Sequence, residues 1–349
     1  MREAVLLGNA GTKRTDYFRQ AAQQEKLPVF FVDWKDYGKW KRQLFDGRGE
    51  RLVKIDPPLW KSCSLGEMNR LVGDYIQKLD ELSQMAKRLP LEFFNHPQAI
   101  QMLLDKRACK KKLQEAGLAV TEMLEDPAFT QTDAPAAQLV ERMRCMGACQ
   151  VFIKPLYGSG AAGVSAFRIQ PKTGRMALYT CAVEHPVHGL VNTKRLRCFT
   201  TQKEVFAVLN RILEIGCIIE RWYAKAQSRE YCYDLRAVVL DGRIEFLLGR
   251  LSKGPITNLH LNNHPLEVPA LGIPDPVLEQ IAFLCKHAAG CFPGLRCAGI
   301  DLLLEKGSLR PRIIEMNAQG DLMYQDIFHE NRIYRREAQM MKEYVIPQH

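Results

Sequence analysis

The chain begins with short apolar runs separated by an amphipathic stretch. Apolar runs at residues 3–8 and 28–33 predict two strands, and the stretch between them predicts a helix that ends near Lys26. This order of strand, loop, helix and strand is typical of an open parallel α/β unit, for which we expect residues 1–94. Ligands of such sheets bind at the carboxyl ends of strands, so the loop at 8–11 either contacts a substrate or is only a tight turn.

A second unit, expected at residues 95–217, begins with Asn95, His96 and Pro97. Proline disfavours a helical conformation at the residue before it and suits the first turn of the helix that follows. The later pattern predicts, in order, a helix ending near Gly117, a helix ending near Met146, a strand at 150–154, a glycine-rich loop and two strands around a turn at 171–174.

The last unit, expected at residues 218–349, has a pattern rich in strands. It predicts a strand starting near 218, two strands around a turn at Asp241 and Gly242, a helix near 275–290, two strands at 300–304 and 312–316, and a helix from Tyr324 onward. The expected fold class is therefore α/β with α+β lobes: an open α/β domain followed by two α+β units.

The two strands at 300–304 and 312–316 are joined by a polar segment that contains glycine, which predicts a hairpin. Side chains alternate between the faces of a strand, so Glu315 and Asn317 point the same way, and strand pairing brings Asp301 beside them. Two carboxylates and one amide suit Mg²⁺, a hard cation that prefers oxygen ligands. The alternative is an ordinary hairpin with two surface carboxylates.

A glycine-rich loop follows the strand that carries Lys154. It contains the pattern G-x-G-x-x-G, and Glu184 lies about twenty residues further on, as in dinucleotide-binding folds. Alternating, strand-like sequence follows Gly163, however, whereas a dinucleotide-binding loop opens a helix. A Walker A loop is excluded because no Gly-Lys-Ser/Thr ends the segment, and the protein-kinase arrangement lacks its His-Arg-Asp loop.

The remaining interpretations are a phosphate-binding loop or a glycine-rich hairpin turn. Small residues let backbone N–H groups approach phosphate oxygens, and Lys154 adds a positive charge from the preceding strand. The candidate phosphate-binding residues of the loop are Gly158, Ser159, Gly160 and Gly163.

Composition narrows the class of protein. With 349 residues, of which 46% are hydrophobic and 25% charged, the chain can form two or three packed units and is not mainly disordered. No apolar run approaches the ~20 residues that a membrane span needs, and the N-terminus lacks a signal-peptide pattern, so we expect a cytoplasmic protein without membrane partners.

Eleven cysteines include no C-x-x-C pair, which favours scattered thiols over a zinc site.

The net charge of +10 raises the question of nucleic-acid binding. Basic clusters occur at 106–112, 194–197 and 332–336, but no nucleic-acid-binding signature accompanies them and aromatic residues do not interleave with them. We therefore expect no nucleic-acid partner. Part of the positive charge is expected to neutralise a polyphosphate or an acidic substrate.

Five motifs in order resemble the ATP-grasp superfamily. They are residues 95–97 followed by Asp105 and Lys106, residues 152–155 with the glycine loop, the segment 219–223, the segment 234–236, and the set Asp301, Glu315 and Asn317. The resemblance covers about residues 95–321, preceded by the usual α/β domain. It implies the ATP-grasp fold, in which two lobes enclose a nucleotide.

The resemblance also implies roles for single residues. Lys106 and Lys154 would bind nucleotide phosphates, and Asp234 would lie on the ribose or at the substrate mouth. Backbone groups of the hinge residues Arg221, Trp222 and Tyr223 would bind adenine, with Glu220 near its exocyclic amine. Asp301, Glu315 and Asn317 would bind Mg²⁺, and the resemblance implies two magnesium ions.

Within the superfamily the chain is most similar to ribosomal-protein glutamate ligases, through residues 234–236, Arg250 and residues 257–260. It resembles still more a bacterial ATP-grasp group without a settled substrate. The hinge differs from the commoner Glu-Phe-Ile, and Ala-Gln-Gly-Asp replaces the usual Pro-Gly after Asn317.

The implied activity is an ADP-forming ligase that converts a carboxylate to an acylphosphate and joins it to an amine, with amino-acid or peptide substrates. Arg236 and Arg250 would offset charge, and Arg250 and Asn258 would stabilise the oxyanion. His260 would take the amine proton or is a loop histidine bonded to backbone, and Asp321 would orient the amine or cap the last helix. The alternatives are a peptide macrocyclase and a non-catalytic ATP-binding scaffold. A homodimer is compatible with the sequence.

Overall fold

The computed structural model describes residues 2–46, 49–60, 64–124, 134–158, 161–261, 263–319 and 331–346, apart from the side chains of Phe45, Asp46 and His260. Within these ranges, no helix combines the length and the apolarity that crossing a membrane requires.

The first unit is a parallel sheet with helices, as the sequence predicts. Its elements are β1 (Arg2–Gly8), α1 (Lys13–Gln24), β2 (Val29–Asp33), α2 (Tyr37–Asp46), β3 (Glu50–Ile55), α3 (Leu65–Ala86) and β4 (Leu91–Phe93). The strand order is β2-β1-β3-β4, and all three strand pairs are parallel. Both faces of β1 are buried, because Val5 and Leu7 belong to one core cluster and Ala4 and Leu6 to another.

The second unit is built on an antiparallel sheet. Its elements are α4 (Pro97–Leu104), α5 (Lys106–Glu115), α6 (Pro135–Cys145), β5 (Gln150–Pro155), β6 (Ser165–Ile169), β7 (Met176–His185), β8 (Gly189–Phe199), α7 (Gln202–Glu214) and β9 (Cys217–Arg221). The strand order is β8-β7-β6-β5-β9. β9 therefore completes the second sheet, and the chain enters the third sheet after Arg221, a few residues beyond the expected boundary.

One predicted helix is two helices in the structure. The sequence predicts a continuous helix from Pro97 to about Gly117, but Asp105 has an extended conformation and separates α4 from α5. The Asp105 carboxylate accepts hydrogen bonds from the N–H groups of Arg107 and Ala108, both at 2.9 Å, and so caps α5. Lys106 consequently lies at the first position of a new helix.

The third unit contains a second antiparallel sheet. Its elements are β10 (Gln227–Ser228), β11 (Tyr231–Leu240), β12 (Arg243–Ser252), β13 (His264–Glu267), α8 (Asp275–Gly290), β14 (Cys297–Leu304), β15 (Pro311–Asn317) and α9 (Arg332–Val345). The strand order is β13-β12-β11-β14-β15, with β10 paired to β11. The predicted turn at Asp241 and Gly242 is confirmed, and both residues have the positive φ that tight hairpin turns require.

Helix α9 returns to the first sheet. Its residues Ile333, Tyr334 and Met341 share a core cluster with Leu6 and Phe18 of the first unit. The first sheet is therefore covered on this face by α1 and by the last described helix of the chain.

Asn95, at the predicted unit boundary, joins the two ends of the β14–β15 hairpin. Its side-chain oxygen accepts hydrogen bonds from the N–H groups of Arg296 and Cys297, and its amide nitrogen donates to the carbonyls of Cys297 and Ala318. All four bonds are 2.6–2.8 Å long. A buried carboxamide that is fully bonded fixes the position of Asn317, the residue before Ala318.

Candidate active site

A cavity of about 310 Å³ lies where the three units meet. Thirteen residues nominated from the sequence line it: Lys106, Lys154, Gly158, Glu220, Arg221, Tyr223, Asp234, Arg236, Arg250, Asn258, Asp301, Glu315 and Asn317. Gly163 and Trp222 are not among the lining residues. Ser159, Gly160 and Asp321, and the side chain of His260, lie outside the described residues.

The β14–β15 hairpin places its three oxygen-bearing side chains at the cavity. Asp301 is paired with Glu315 across the two strands, and Gly299 is paired with Asn317. The register shifts between Asp301 and Leu302, so the strand is irregular next to the site.

The donor set of the hairpin fits a hard divalent cation. Burial alone would raise the pKa of Glu315, but the nearby cations Lys106, Lys154 and Arg236 outweigh burial and hold the pKa below its usual range. Glu315 is therefore ionised. The buried Oδ1 atom of Asp301 lies 2.7 Å from Arg236 Nη1, yet receives no hydrogen bond of good geometry among the described residues. Two carboxylates and a carboxamide with such an unsatisfied oxygen suit Mg²⁺.

Lys106 connects the glycine loop to the hairpin. Its Nζ donates a 2.7 Å hydrogen bond to the carbonyl of Gly158 and lies 3.9 Å from Glu315 Oε1. An ammonium group in this position contributes positive charge between the loop and the carboxylates.

Lys154 belongs to a buried cluster of three charges. Its Nζ lies 2.8 Å from Glu220 Oε2, and Lys110 Nζ lies 2.6 Å from Glu220 Oε1. Thr121 donates a 2.7 Å hydrogen bond to the same carboxylate. In this structure the Glu220 carboxylate, expected near the adenine amine, is thus held by two ammonium groups and a hydroxyl.

The charges of this cluster explain its pKa shifts. Burial would raise the pKa of Glu220, but Lys110 and Lys154 lower it to about 2. Two cations share this one anion, so burial dominates at Lys110 and lowers its pKa to about 8. The sequence shows Lys110 only as part of the basic cluster at 106–112 and gives it no role of its own. Its position four residues after Lys106, on the same face of α5, was the signal that could have identified it.

The Glu220 cluster predicts a specific acid sensitivity. The folded-state pKa is depressed, so its stabilising contribution is present above the unfolded value of about 4.5 and is lost as the pH falls toward about 2. We expect urea unfolding at a series of pH values to show that Glu220→Gln costs up to about 3 kcal/mol near neutral pH and progressively less below pH 4.5. The exposed control Glu267→Gln should track the wild type; a constant difference for Glu220→Gln would contradict the assignment.

Asp234 is the centre of a second buried cluster. Arg250 binds it through two hydrogen bonds of 2.7 and 2.9 Å, Lys225 Nζ lies 3.5 Å away, and the Thr257 hydroxyl donates to it. These partners outweigh burial and lower its pKa to about 2. Asp234 therefore does not act as a base near neutral pH. Its contacts instead fix Arg250, whose Nη2 atom bonds to Asp234 and also lies 3.1 Å from Asp301 Oδ2.

Lys225 and Thr257 were not nominated from the sequence. Both line the cavity, and Lys225 donates a 2.7 Å hydrogen bond to Thr257. Burial lowers the pKa of Lys225. Lys225 lies four residues after Arg221 of the hinge, but no spacing rule connects it with Asp234.

The hinge contributes two of its three residues to the cavity. Arg221 and Tyr223 line it, whereas Trp222 packs its ring 5.2 Å from that of Phe152. Gln150 accepts from the N–H of Trp222 and donates to its carbonyl, at 3.4 and 3.0 Å. The expected adenine contact through the backbone of Trp222 thus competes with bonds already made to Gln150.

Gly163, a candidate phosphate-binding residue from the sequence, is tightly packed in the structure. Its N–H donates to Asn192 Oδ1 at 3.1 Å. Its φ is +69°, and a Cβ atom built there would lie 2.6 Å from Pro155 Cγ and 3.0 Å from Leu65 Cδ1. The loop therefore passes too close to α3 and β5 for any side chain.

We expect Gly163→Ala to lower the free energy of unfolding by about 3 kcal/mol, from backbone strain and the contact with Pro155. Gly174→Ala is the matched control, because Gly174 has a φ of +68° and a Cβ atom added to it would meet no atom within 4 Å. It should cost about 1 kcal/mol. Urea unfolding measures both variants, and equal losses would show that the contact with Pro155 is unimportant.

Another part of the cavity wall is shared by the first unit, helix α4 and the residues just after β15. Arg14, Pro57, Trp60, Met68, Val72, Ile100, Leu103, Leu104, Ala318 and Gln319 line it. These residues form no sequence motif, because they meet only in the folded chain.

Comparison with solved structures identifies the architecture. D-cycloserine synthetase DcsG is 14% identical, with a TM-score of 0.61 and coverage of 98% of this chain and 99% of that chain. The ATP-grasp ligase PsnB, in complex with a phosphomimetic variant of its minimal precursor, Mg and ADP, is 12% identical, with a TM-score of 0.57 and coverage of 97% and 98%.

The macrocyclase MdnC, bound with precursor peptide MdnA from Microcystis aeruginosa MRC, is 12% identical, with a TM-score of 0.58 and coverage of 99% and 100%. No protein-family model matches the sequence, and neither does any curated protein. Likeness over nearly the whole length of these three structures, together with the sheet orders described above, shows that this protein has the ATP-grasp fold.

Proposed function

We propose that the protein is an ATP-dependent ligase, which converts a carboxylate to an acylphosphate with release of ADP and joins it to an amine. The observation that carries the proposal is the convergence of Lys106, Lys154 and the Asp301, Glu315 and Asn317 side chains on one cavity of an ATP-grasp fold. The substrates proposed are an amino acid or peptide carboxylate and an amine.

The first step joins two anions and therefore needs cations. A carboxylate oxygen attacks the γ-phosphorus, the bond to the β-phosphate oxygen breaks, and ADP leaves. Two such anions 4 Å apart repel by about 4 kcal/mol per charge pair at an effective dielectric of 20. The positive charges of Lys106 and Lys154 offset this repulsion from the side of the glycine loop. Arg236 and Arg250 offset it from the third sheet. Mg²⁺, held by Asp301, Glu315 and Asn317, would neutralise further phosphate charge.

The second step forms the carbon–nitrogen bond. The amine attacks the acyl carbon, phosphate leaves, and the nitrogen loses a proton. Arg250 is held by Asp234 and Asp301 at the cavity, and with Asn258 it is our candidate for stabilising the tetrahedral oxyanion. His260 remains the proposed proton acceptor.

Calorimetric titration with a non-hydrolysable ATP analogue tests the proposal. We expect binding that depends on Mg²⁺, followed by ADP release when a panel of amino acids and peptides is screened with ATP. Absence of binding in both the presence and the absence of Mg²⁺ would contradict the proposal. Tight binding without ADP release under any carboxylate would support a non-catalytic scaffold instead.

A peptide macrocyclase is the second candidate function. It is favoured by the structural likeness to MdnC, whose solved structure contains a precursor peptide. The same acylphosphate would then react with a hydroxyl or amine of one peptide. Loss of one water from a single peptide by mass spectrometry, without a second substrate, would distinguish this reaction from ligation.

A further inference from the structure

The cavity has two apolar regions. One adjoins the hinge and is formed by Phe152, Tyr223, Leu303 and Ile314. The other is formed by Trp60, by Met68 and Val72 of α3, and by Ile100 and Leu104 of α4. We call this second set the α3–α4 wall.

The α3–α4 wall lies at the glycine-loop end of the cavity. A Cβ at Gly163 would lie 3.0 Å from Leu65 at the start of α3, and Lys106, next to α4, bonds to Gly158. The apolar residues at the hinge can contact a flat base. A polyphosphate at the loop end is highly charged and gains no binding energy from apolar surface. An apolar wall in a concave site is therefore accounted for by a second, apolar ligand.

A fixed cation borders this wall. Arg14 Nη1 donates to the carbonyl of Gln319 at 3.0 Å, and the Tyr75 hydroxyl donates to Gln319 Oε1 at 2.9 Å. The ring of Trp60 packs edge-on against that of Tyr75, with centroids 5.7 Å apart. Gln319, two residues after Asn317, thus connects the Arg14 guanidinium to Tyr75, which packs against Trp60 of the wall.

The charge of the cavity favours an anionic ligand beyond the nucleotide. Its described lining contains seven cationic and four anionic side chains. Glu220 and Asp234 are each already bonded to two cations. A ligand that contacts both the wall and the positive charge of Arg14 has an apolar side chain and a carboxylate.

We propose that the carboxylate substrate is an amino acid or peptide end with a bulky apolar side chain. The side chain packs on Trp60, Met68 and Leu104, and the carboxylate is directed to Arg14 beside the phosphate-binding end. This inference rests on the proposed ligase function and specifies its substrate.

Calorimetry with N-acetylated amino acids tests the side-chain preference, with the ATP analogue and Mg²⁺ present and absent. We expect N-acetyl-phenylalanine or N-acetyl-leucine, in L or D form, to bind at least tenfold more tightly than N-acetylglycine or N-acetylglutamine. N-acetyl-phenylalaninamide, which lacks only the carboxylate, should bind more weakly than N-acetyl-phenylalanine. Equal or tighter binding of the glycine or glutamine derivative would overturn the inference.

Two variants locate the side chain. Met68→Gln should weaken binding of the apolar probe about tenfold, whereas Met68→Leu should keep it, because both replacements have a size near that of methionine. Both variants should bind the ATP analogue as the wild type does, which shows that they are folded. Equal affinity of Met68→Gln and Met68→Leu for the probe would also overturn the inference.

The same titrations separate this inference from the proposed function. Mg²⁺-dependent binding of the analogue without preference for apolar acids overturns the inference and leaves the ligase proposal standing. Preferential binding of apolar acids without any nucleotide binding supports the substrate site and contradicts the ligase proposal.

Discussion

Replacing Glu315 by alanine should remove the Mg²⁺-dependent part of nucleotide binding and reduce ADP formation about a thousandfold. Glu315 is paired with Asp301 across the hairpin and is held ionised by the surrounding cations, so its loss removes one of the two carboxylates that suit the metal. Calorimetry with the non-hydrolysable ATP analogue, with and without Mg²⁺, measures the first effect, and release of ADP measures the second.

The control for Glu315→Ala is Glu267→Gln, which removes an exposed carboxylate of the same sheet on β13. It should bind the analogue as the wild type does. Circular dichroism should show Glu315→Ala to be folded. A folded Glu315→Ala protein with full Mg²⁺-dependent affinity would refute the metal assignment.

Replacing Lys154 by methionine should have two separable effects. It removes a positive charge from the cavity, and it leaves Glu220 with Lys110 as its one remaining cation among the described residues. We expect affinity for the ATP analogue to fall about a hundredfold and the free energy of unfolding to fall by about 3 kcal/mol, as for other broken buried ion pairs.

The double variant Lys154→Met, Glu220→Gln separates these effects. The amide removes the buried negative charge, and Lys110, with a pKa already lowered to about 8, can adapt by losing its proton. Urea unfolding should therefore show recovered stability, while calorimetry should show that nucleotide affinity stays low. If affinity returned with stability, Lys154 would have a structural role alone.

The parts of the structure that sequence predicts well are those with local signals. The β14–β15 hairpin follows from two apolar-rich runs and a polar turn, and the turn at Asp241 and Gly242 follows from its dipeptide. The parallel first sheet follows from the order of its strands and helices. In each case the residues that decide the conformation are neighbours in the sequence.

The features that the sequence did not predict depend on contacts between distant residues, or on segments in which the local pattern is ambiguous. Asp105 has helical residues on both sides, so the hydrophobic periodicity does not show the break between α4 and α5. Strand β8 was missed because its run Lys194–Arg197 resembles a solvated charge cluster, although it is the edge of a sheet. The pairing of Lys110 with Glu220 joins residues far apart in the chain. The spacing from Lys106 could place Lys110 on the same face of α5, but it could not identify Glu220 as the partner.

The packing of α9 against the first sheet has a consequence for folding during synthesis. The ribosome makes the first sheet long before Ile333, Tyr334 and Met341, which pack against one of its faces. Until those residues emerge, Leu6 and Phe18 lack part of their native cover. Completion of the first domain must therefore wait until residues 333–341 have been synthesised, and contacts of such long sequence separation form slowly. Until then the nascent chain exposes an apolar surface that chaperones would recognise.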